Sequence, residues 1–142
     1  MVDPSLRTAS HERRLLIIED DEQVADALAQ ILEPDYDVTL VVADGDVAAA
    51  LLEEEGATFE TVLCDMQLGH TTGKQLYERL RERRPELAER MIFMTGEAFR
   101  GPLRQFLDGC PIPCLVKPFN RSELRNAVAA MLSRPASPAG AE

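Results

Sequence analysis

Short, wholly apolar runs alternate along this chain with stretches in which apolar residues return every third or fourth position. Leu15-Leu16-Ile17-Ile18 is apolar on both faces, which predicts a strand of a parallel sheet covered by helices on each side. Val24, Leu28, Ile31 and Leu32 follow at helical spacing, and Pro34 ends that helix. Residues 37–42 are rich in β-branched side chains and predict a second strand. Asp44 is placed to cap a second helix containing Val47, Leu51 and Leu52, with Gly56 suited to its C-terminal end. The third strand, Val62-Leu63-Cys64, stops at Asp65. Thr72 and Gln75 form a capping-box pattern before Leu76 and Leu80, with Pro85 beyond. Met91-Ile92-Phe93-Met94 is a fourth strand ending at Thr95-Gly96, and Met91 and Met94 are core residues. A short helix then runs from Pro102 as first helical residue through Leu103, Phe106 and Leu107 to Gly109. Cys114-Leu115-Val116 is a fifth strand, ending at Lys117-Pro118-Phe119. Asn120 and Glu123 repeat the capping box, and Leu124, Val128, Met131 and Leu132 complete a last amphipathic helix.

Strand and helix thus alternate five times. That pattern predicts an α/β domain, a doubly wound parallel sheet with right-handed crossovers and helices on both faces. Such sheets place their sites beyond the carboxyl ends of the strands, where the strand order reverses. The polar residues at those ends are Glu19, Asp20, Asp65, Thr95 and Lys117. Residues 14–133 carry the whole pattern; 1–13 read as a polar tail or linker and 134–142, rich in Pro, Ala, Ser and Gly, as a flexible tail.

The 142 residues amount to one domain. A formal net charge of -10 repels a phosphate backbone and argues against direct nucleic-acid binding. No apolar run nears the roughly 20 residues of a membrane span, and no apolar segment marks a secretory signal. Cys64, Cys110 and Cys114 are odd in number and lack Cys-x-x-Cys spacing, so buried reduced thiols are favoured over a metal site. Reduced thiols fit the cytoplasm.

Three carboxylates at one sheet edge repel one another. At about 4 Å and an effective dielectric of about 20, each like-charged pair costs roughly 4 kcal/mol. A divalent cation relieves that conflict, and oxygen donors suit Mg²⁺, which keeps several waters. Asp65 on such a metal keeps an oxygen free to attack a phosphoryl group and form an aspartyl phosphate. Lys117 adds positive charge and Thr95 a hydroxyl donor for the transferring oxygens.

Ile17-Ile18-Glu19-Asp20-Asp21, Asp65 with Gly73 eight residues later, Thr95-Gly96 and Lys117-Pro118-Phe119 together resemble the receiver domain of two-component response regulators. The match runs from about Leu15 to Leu132. The resemblance implies a flavodoxin-like (βα)5 fold with strand order 2-1-3-4-5. It implies phosphorylation of Asp65 from a phosphohistidine on a histidine kinase or histidine phosphotransfer protein. It makes Asp20 a direct Mg²⁺ ligand, Glu19 a water-mediated one and Gln67 a ligand through its backbone carbonyl. Thr95 becomes the switch hydroxyl and Lys117 the phosphate-binding cation, aimed inward by a cis peptide before Pro118. Asp21 reads as a helix cap rather than a ligand. The chain departs from the family at Gly69, where proline is usual and a looser loop is expected. It departs again at Cys114, where the family places the aromatic residue that moves with the switch hydroxyl. The approach to the fifth strand, Cys110-Pro111-Ile112-Pro113, is unusually rich in proline.

The segment from Phe93 to Glu97 with its short following helix resembles receivers fused to hybrid sensor kinases, so a single-domain regulator and a receiver excised from a kinase both stay open. The family often pairs through the face of its fourth helix, fifth strand and fifth helix, which leaves a homodimer open. His70 reads as an exposed loop residue and His11 as tail; the resemblance places Gln67 and Glu97 at the site mouth. Two rivals stand beside this reading. One is a Mg²⁺-dependent phosphohydrolase with the same nucleophile, though Gln67 occupies the place of its usual second aspartate. The other is a pseudo-receiver, an interaction module that is never phosphorylated.

Overall fold

Leu15 to Ile18 are wholly buried and pair on both sides, in parallel, which is why the run is apolar throughout. The computed structural model of the chain describes residues 12–54, 56–69, 71–96 and 101–134, with backbone alone for 101–104. Its main sheet has five strands: β1 Arg14–Ile18, β2 Val38–Val42, β3 Thr61–Asp65, β4 Met91–Thr95 and β5 Cys114–Val116. They pair in parallel in the order β2-β1-β3-β4-β5, as the resemblance implied. The crossover helices are α1 Glu22–Leu32, α2 Gly45–Glu53, α3 Gly73–Arg83, α4 Gly101–Asp108 and α5 Arg121–Leu132.

Alternate residues of each strand feed two separate cores. Leu16, Ile18, Val62, Cys64 and Phe93 pack under α2 and α3, against Ala48, Leu52, Leu76, Tyr77 and Leu80. Leu15, Ile17, Leu63, Ile92 and Met94 pack under α1 and α5, against Leu28, Leu32, Leu124, Val128 and Met131. Met91 and Met94 are both core, as expected, but they belong to opposite faces. Each fully buried Leu, Ile or Met contributes about 1.5–3 kcal/mol through removal from water.

The predicted caps form. Asp21 accepts from the N–H groups of Gln23 (3.0 Å) and Val24 (3.2 Å), so it starts α1. Asp44 does the same for α2 through Asp46 and Val47. Both capping boxes, Thr72 with Gln75 and Asn120 with Glu123, are reciprocal.

Three details differ from the pattern reading. β2 starts at Val38, because Asp37 is drawn off to accept the Arg13 N–H at 2.8 Å. Val47 is exposed, and α2 buries Ala48, Ala49 and Leu52 instead. At the start of the helix Gly45 lies close to Thr71: a Cβ there would be 2.8 Å from the Thr71 side chain. Pro85 does more than follow a helix. It opens a single turn, Pro85–Ala88, that buries Leu87 and Ala88. The expected tails fall almost wholly outside the described residues.

At the amino end of the sheet two arginines satisfy main-chain carbonyls. Arg90, 7% exposed, donates to Glu60 O (2.8 Å), Met131 O (3.1 Å) and Arg134 O (3.3 Å). Arg84 donates to Leu52, Glu54 and Ala57 carbonyls at the end of α2. Replacing Arg90 by Ala leaves three carbonyls short of a donor and is expected to cost roughly 3 kcal/mol of unfolding free energy, read from urea midpoints; a loss below about 0.5 kcal/mol would place those carbonyls in water.

Tyr36 and Thr61 share a buried hydroxyl contact of 2.5 Å at the same end. Burial pushes the Tyr36 phenol from 10.0 up to about 12, with the Thr61 contact opposing. The folded protein therefore holds this proton where the unfolded chain loses it. The stability it lends is complete below pH 10 and is lost as pH rises toward about 12. Spectrophotometric titration of the native protein should show one phenol titrating last, and Tyr36→Phe should remove it.

Candidate functional site

The strand order reverses between β1 and β3, and the crevice there collects the polar strand ends. Glu19 follows β1 directly; its N–H donates to Val42 O (3.0 Å), which extends the strand and aims the side chain beyond the sheet. Asp65 is the last residue of β3 and is paired in register with Met94. Lys117 follows β5, held by its N–H to Thr95 O at 2.7 Å, and the Lys117–Pro118 peptide is cis, as the resemblance implied.

These elements bring the side chains together. The Lys117 ammonium donates to Asp65 Oδ2 (2.9 Å) and to Glu19 Oε1 (3.1 Å). Asp65 Oδ1 accepts the Gln67 N–H (2.9 Å), and Glu19 Oε2 accepts the Asp21 N–H (3.1 Å). One carboxylate oxygen from each of Glu19, Asp20 and Asp65 lies within 4.8 Å of the others. Asp20 is exposed, whereas Glu19 and Asp65 are 2% and 7% exposed. An open cleft of about 360 Å³ is lined by Glu19, Asp20, Asp21, Asp65, Gln67, Gly96 and Lys117. Thr95 is buried at the end of β4; Gly96, the next residue, reaches the cleft wall. His70 and Glu97 lie outside the described residues.

Burial raises the Glu19 carboxyl above its ordinary value; the Asp21 N–H and Lys117 oppose it, and Asp65 adds repulsion. Burial works the other way on Lys117, but its hydrogen bonds to Asp65 and Glu19 win, and its pKa is raised. The ammonium is secure in its charge while the carboxylates remain crowded. One lysine faces three acids, so the cleft has room for further positive charge. Its donors are all hard oxygens, the set that suits Mg²⁺ rather than a thiolate-seeking metal.

Gly73 has a function that spacing alone does not reveal. A Cβ there would lie 2.9 Å from Asp65 O and 3.1 Å from Met66 Cα. Its N–H donates to Met66 O at 2.9 Å, so the start of α3 rests directly on the end of β3. Gln67–Leu68 and Thr71–Thr72 form a small antiparallel ladder, and Gly69 takes a φ of +74° at its turn. Leu68 is buried, which ties the ladder down.

Cys114 is half-buried, and the aromatic bulk near it comes from elsewhere. Tyr77 of α3, Phe93 of β4 and Phe106 of α4 form a trio with ring centres 5.7–6.0 Å apart. The helical spacing of Gly73, Leu76, Tyr77 and Leu80 signals the first of these; Phe106 was already assigned to the apolar face of its helix.

A family model for the response regulator receiver domain matches residues 15–129, and the chain belongs to that family. Among curated proteins, the transcriptional regulatory protein TcrA of Mycobacterium tuberculosis is 30% identical over 111 residues, 78% of this chain and 42% of that protein. The hydrogenase transcriptional regulatory protein HoxA of Cupriavidus necator is 32% identical over 78 residues, 55% of this chain and 16% of that one. The chain thus spans less than half the length of these relatives. Among solved structures, a CheY-like receiver domain protein from Methanospirillum hungatei superposes with a TM-score of 0.74 at 28% identity, covering 85% of this chain and 94% of that one. The receiver domain of sensor histidine kinase PA1611 from Pseudomonas aeruginosa, described with a magnesium ion in its active-site cleft, gives 0.73 at 24% identity, covering 87% and 99%. That last likeness is one of fold.

Gly73→Ala is expected to push the Asp65 main chain out of place. Mg²⁺ affinity, read by calorimetry, should fall about tenfold, as it does when a group supporting a metal ligand is disturbed. Unchanged affinity would show that α3 shifts instead of Asp65.

Proposed function

We infer that this domain is a phosphoacceptor of a two-component phosphorelay, with Asp65 as the residue modified. The observation that carries this reading is the shared contact of Lys117 with Asp65 and Glu19, beside a third carboxylate, at the strand-order switch. Glu19, Asp20, Asp65 and the Gln67 backbone carbonyl would hold Mg²⁺. When bound, the ion supplies positive charge against the oxygens of the transferring phosphoryl group.

The protein's own groups divide the remaining work. An Asp65 oxygen attacks phosphorus as the nitrogen–phosphorus bond of a phosphohistidine breaks, giving an acyl phosphate and a free imidazole. Lys117 binds the phosphoryl oxygens, and in doing so gives up part of its hold on Asp65 and Glu19. The Thr95 hydroxyl receives another of those oxygens, which couples the end of β4 to phosphorylation. The donor is a histidine kinase or a histidine phosphotransfer protein, and the consequence is a change in protein contacts rather than turnover of a small substrate. Residues 14–133 form the receiver unit, working in the cytoplasm, alone or joined to further domains in the manner of its longer relatives.

Incubating the protein with acetyl phosphate and Mg²⁺ should add one phosphoryl group to the intact mass, acid-stable and hydroxylamine-labile. Asp65→Asn should remove the added mass while leaving the urea midpoint within about 1 kcal/mol of the parent. Chelating the metal should also abolish it. An unchanged mass in the parent would sink the assignment, and steady hydrolysis of a generic phosphate ester would favour a phosphohydrolase instead.

A further inference from the structure

The first turn of α2 touches the short ladder after β3 at Thr71. The Thr71 hydroxyl donates to Asp46 Oδ1 at 3.1 Å, joining segments 25 residues apart. Within the ladder Thr71 pairs with Leu68, and its neighbour Thr72 pairs with Gln67. Leu68 is buried, and a Cβ on Gly45 would lie 2.8 Å from Thr71 and 3.5 Å from Leu68 Cδ1. One hydrogen bond to an ionised acceptor and close packing thus meet at the same place. Asp46 is itself fixed, its N–H donating to Asp44 Oδ1 at 2.6 Å. At the far end of α2, Glu53 Oε1 accepts from Arg79 Nη2 of α3 at 3.0 Å. The helix is therefore tied at its start to the ladder and at its end to α3.

The ladder matters to the site because Gln67 belongs to it. The Gln67 N–H donates to Asp65 Oδ1 at 2.9 Å, which leaves Oδ2 to Lys117. We propose that Thr71 and Asp46 are positioning residues for the Asp65 carboxylate. Neither lines the cleft of Glu19, Asp20 and Asp65. Their contact holds Thr71–Thr72, that strand holds Gln67, and the Gln67 amide holds the carboxylate in the orientation that Lys117 meets. Metal ligands lose affinity when the groups behind them are disturbed, because the ligand then spends time in other orientations. Here the supporting group lies on a different helix, three contacts away from the acid. The same ladder carries the Gln67 carbonyl assigned above to Mg²⁺. The consequence for the metal rests on that assignment; the consequence for Asp65 rests only on the hydrogen bonds.

Two quantities test this in the whole chain: hydrogen exchange of the Gln67 amide without metal, and Mg²⁺ affinity by calorimetry. Thr71→Val removes the hydroxyl and keeps the shape of the side chain. It is expected to speed Gln67 exchange about fivefold and to weaken Mg²⁺ binding by a similar factor. Thr71→Ser restores the donor and should return both to within about twofold of the parent. Asp46→Ala should match Thr71→Val, and carries the comparison if the valine variant does not fold. The double variant should be no worse than either alone, since both remove one contact. Arg79→Ala cuts the other tie of α2 and should leave both quantities within about twofold. Parent-like exchange and affinity in Thr71→Val and Asp46→Ala would overturn the proposal. So would an undiminished loss in Thr71→Ser, additive losses in the double variant, or an equal loss in Arg79→Ala, which would assign the effect to helix packing at large. If the parent binds no Mg²⁺, the metal assignment fails, and the Gln67 exchange rates alone decide whether Thr71 and Asp46 position Asp65.

Discussion

Three carboxylates converge at one edge of the sheet, and their mutual repulsion governs the rest of the site. Glu19 and Asp65 are both nearly buried, yet they share a single ammonium, and Asp20 stands within reach of both. Burial raises the Glu19 carboxyl above its ordinary value. Lys117 limits that drift by holding a charge that the two acids themselves reinforce. The result is a cluster that is organised but still short of positive charge. On the proposed reading, a hard cation would add charge for the acids and a phosphoryl group would give the lysine a new partner.

The backbone keeps this unfavourable arrangement in place. Glu19, Asp65 and Lys117 lie at strand ends whose main chain is hydrogen-bonded to a neighbouring strand. Glu19 continues the ladder to Val42, Met66 donates to Met94 O, and Lys117 donates to Thr95 O. Gly73 adds a contact that any larger residue would spoil, pressing the first turn of α3 against Asp65 O. The Gln67 N–H completes one carboxylate oxygen of Asp65 and so fixes which oxygen faces the lysine.

Most of the architecture was legible because the pattern is unusually regular. Two-sided apolar runs such as Leu15–Ile18 have few interpretations other than a covered parallel strand, and polar residues at four strand ends point to one edge. The caps were equally plain, since Asp21, Thr72 and Asn120 each sit at the right distance from the first apolar turn. What escaped depended on distance across the fold. The close approach of Gly45 to Thr71 joins residues far apart in sequence, and the exposure of Val47 was not signalled by its apolar character. Arg90 resembled any surface arginine, because the carbonyls it serves belong to Glu60, Met131 and Arg134. The short ladder of Gln67–Leu68 with Thr71–Thr72 and the burial of Leu68 were not signalled by the absence of a proline at Gly69. Of the thiols, Cys64 is buried as expected, whereas Cys110 and Cys114 are only half so, since β5 is an edge strand.

The two ends of the sheet are built on opposite terms. At the amino end Arg84 and Arg90 together serve six main-chain carbonyls, Arg84 also pairs with Glu86, and Tyr36 closes on Thr61. At the carboxyl end charge is concentrated and only partly answered, which costs stability in the unliganded protein. The cost is tolerable because both helical layers and the arginine clamps lie below it, so local rearrangement around Lys117 need not loosen the core. Satisfied hydrogen bonds at one end thus permit electrostatic frustration at the other. A site of this kind can respond to a small added charge because its unliganded arrangement is already a compromise.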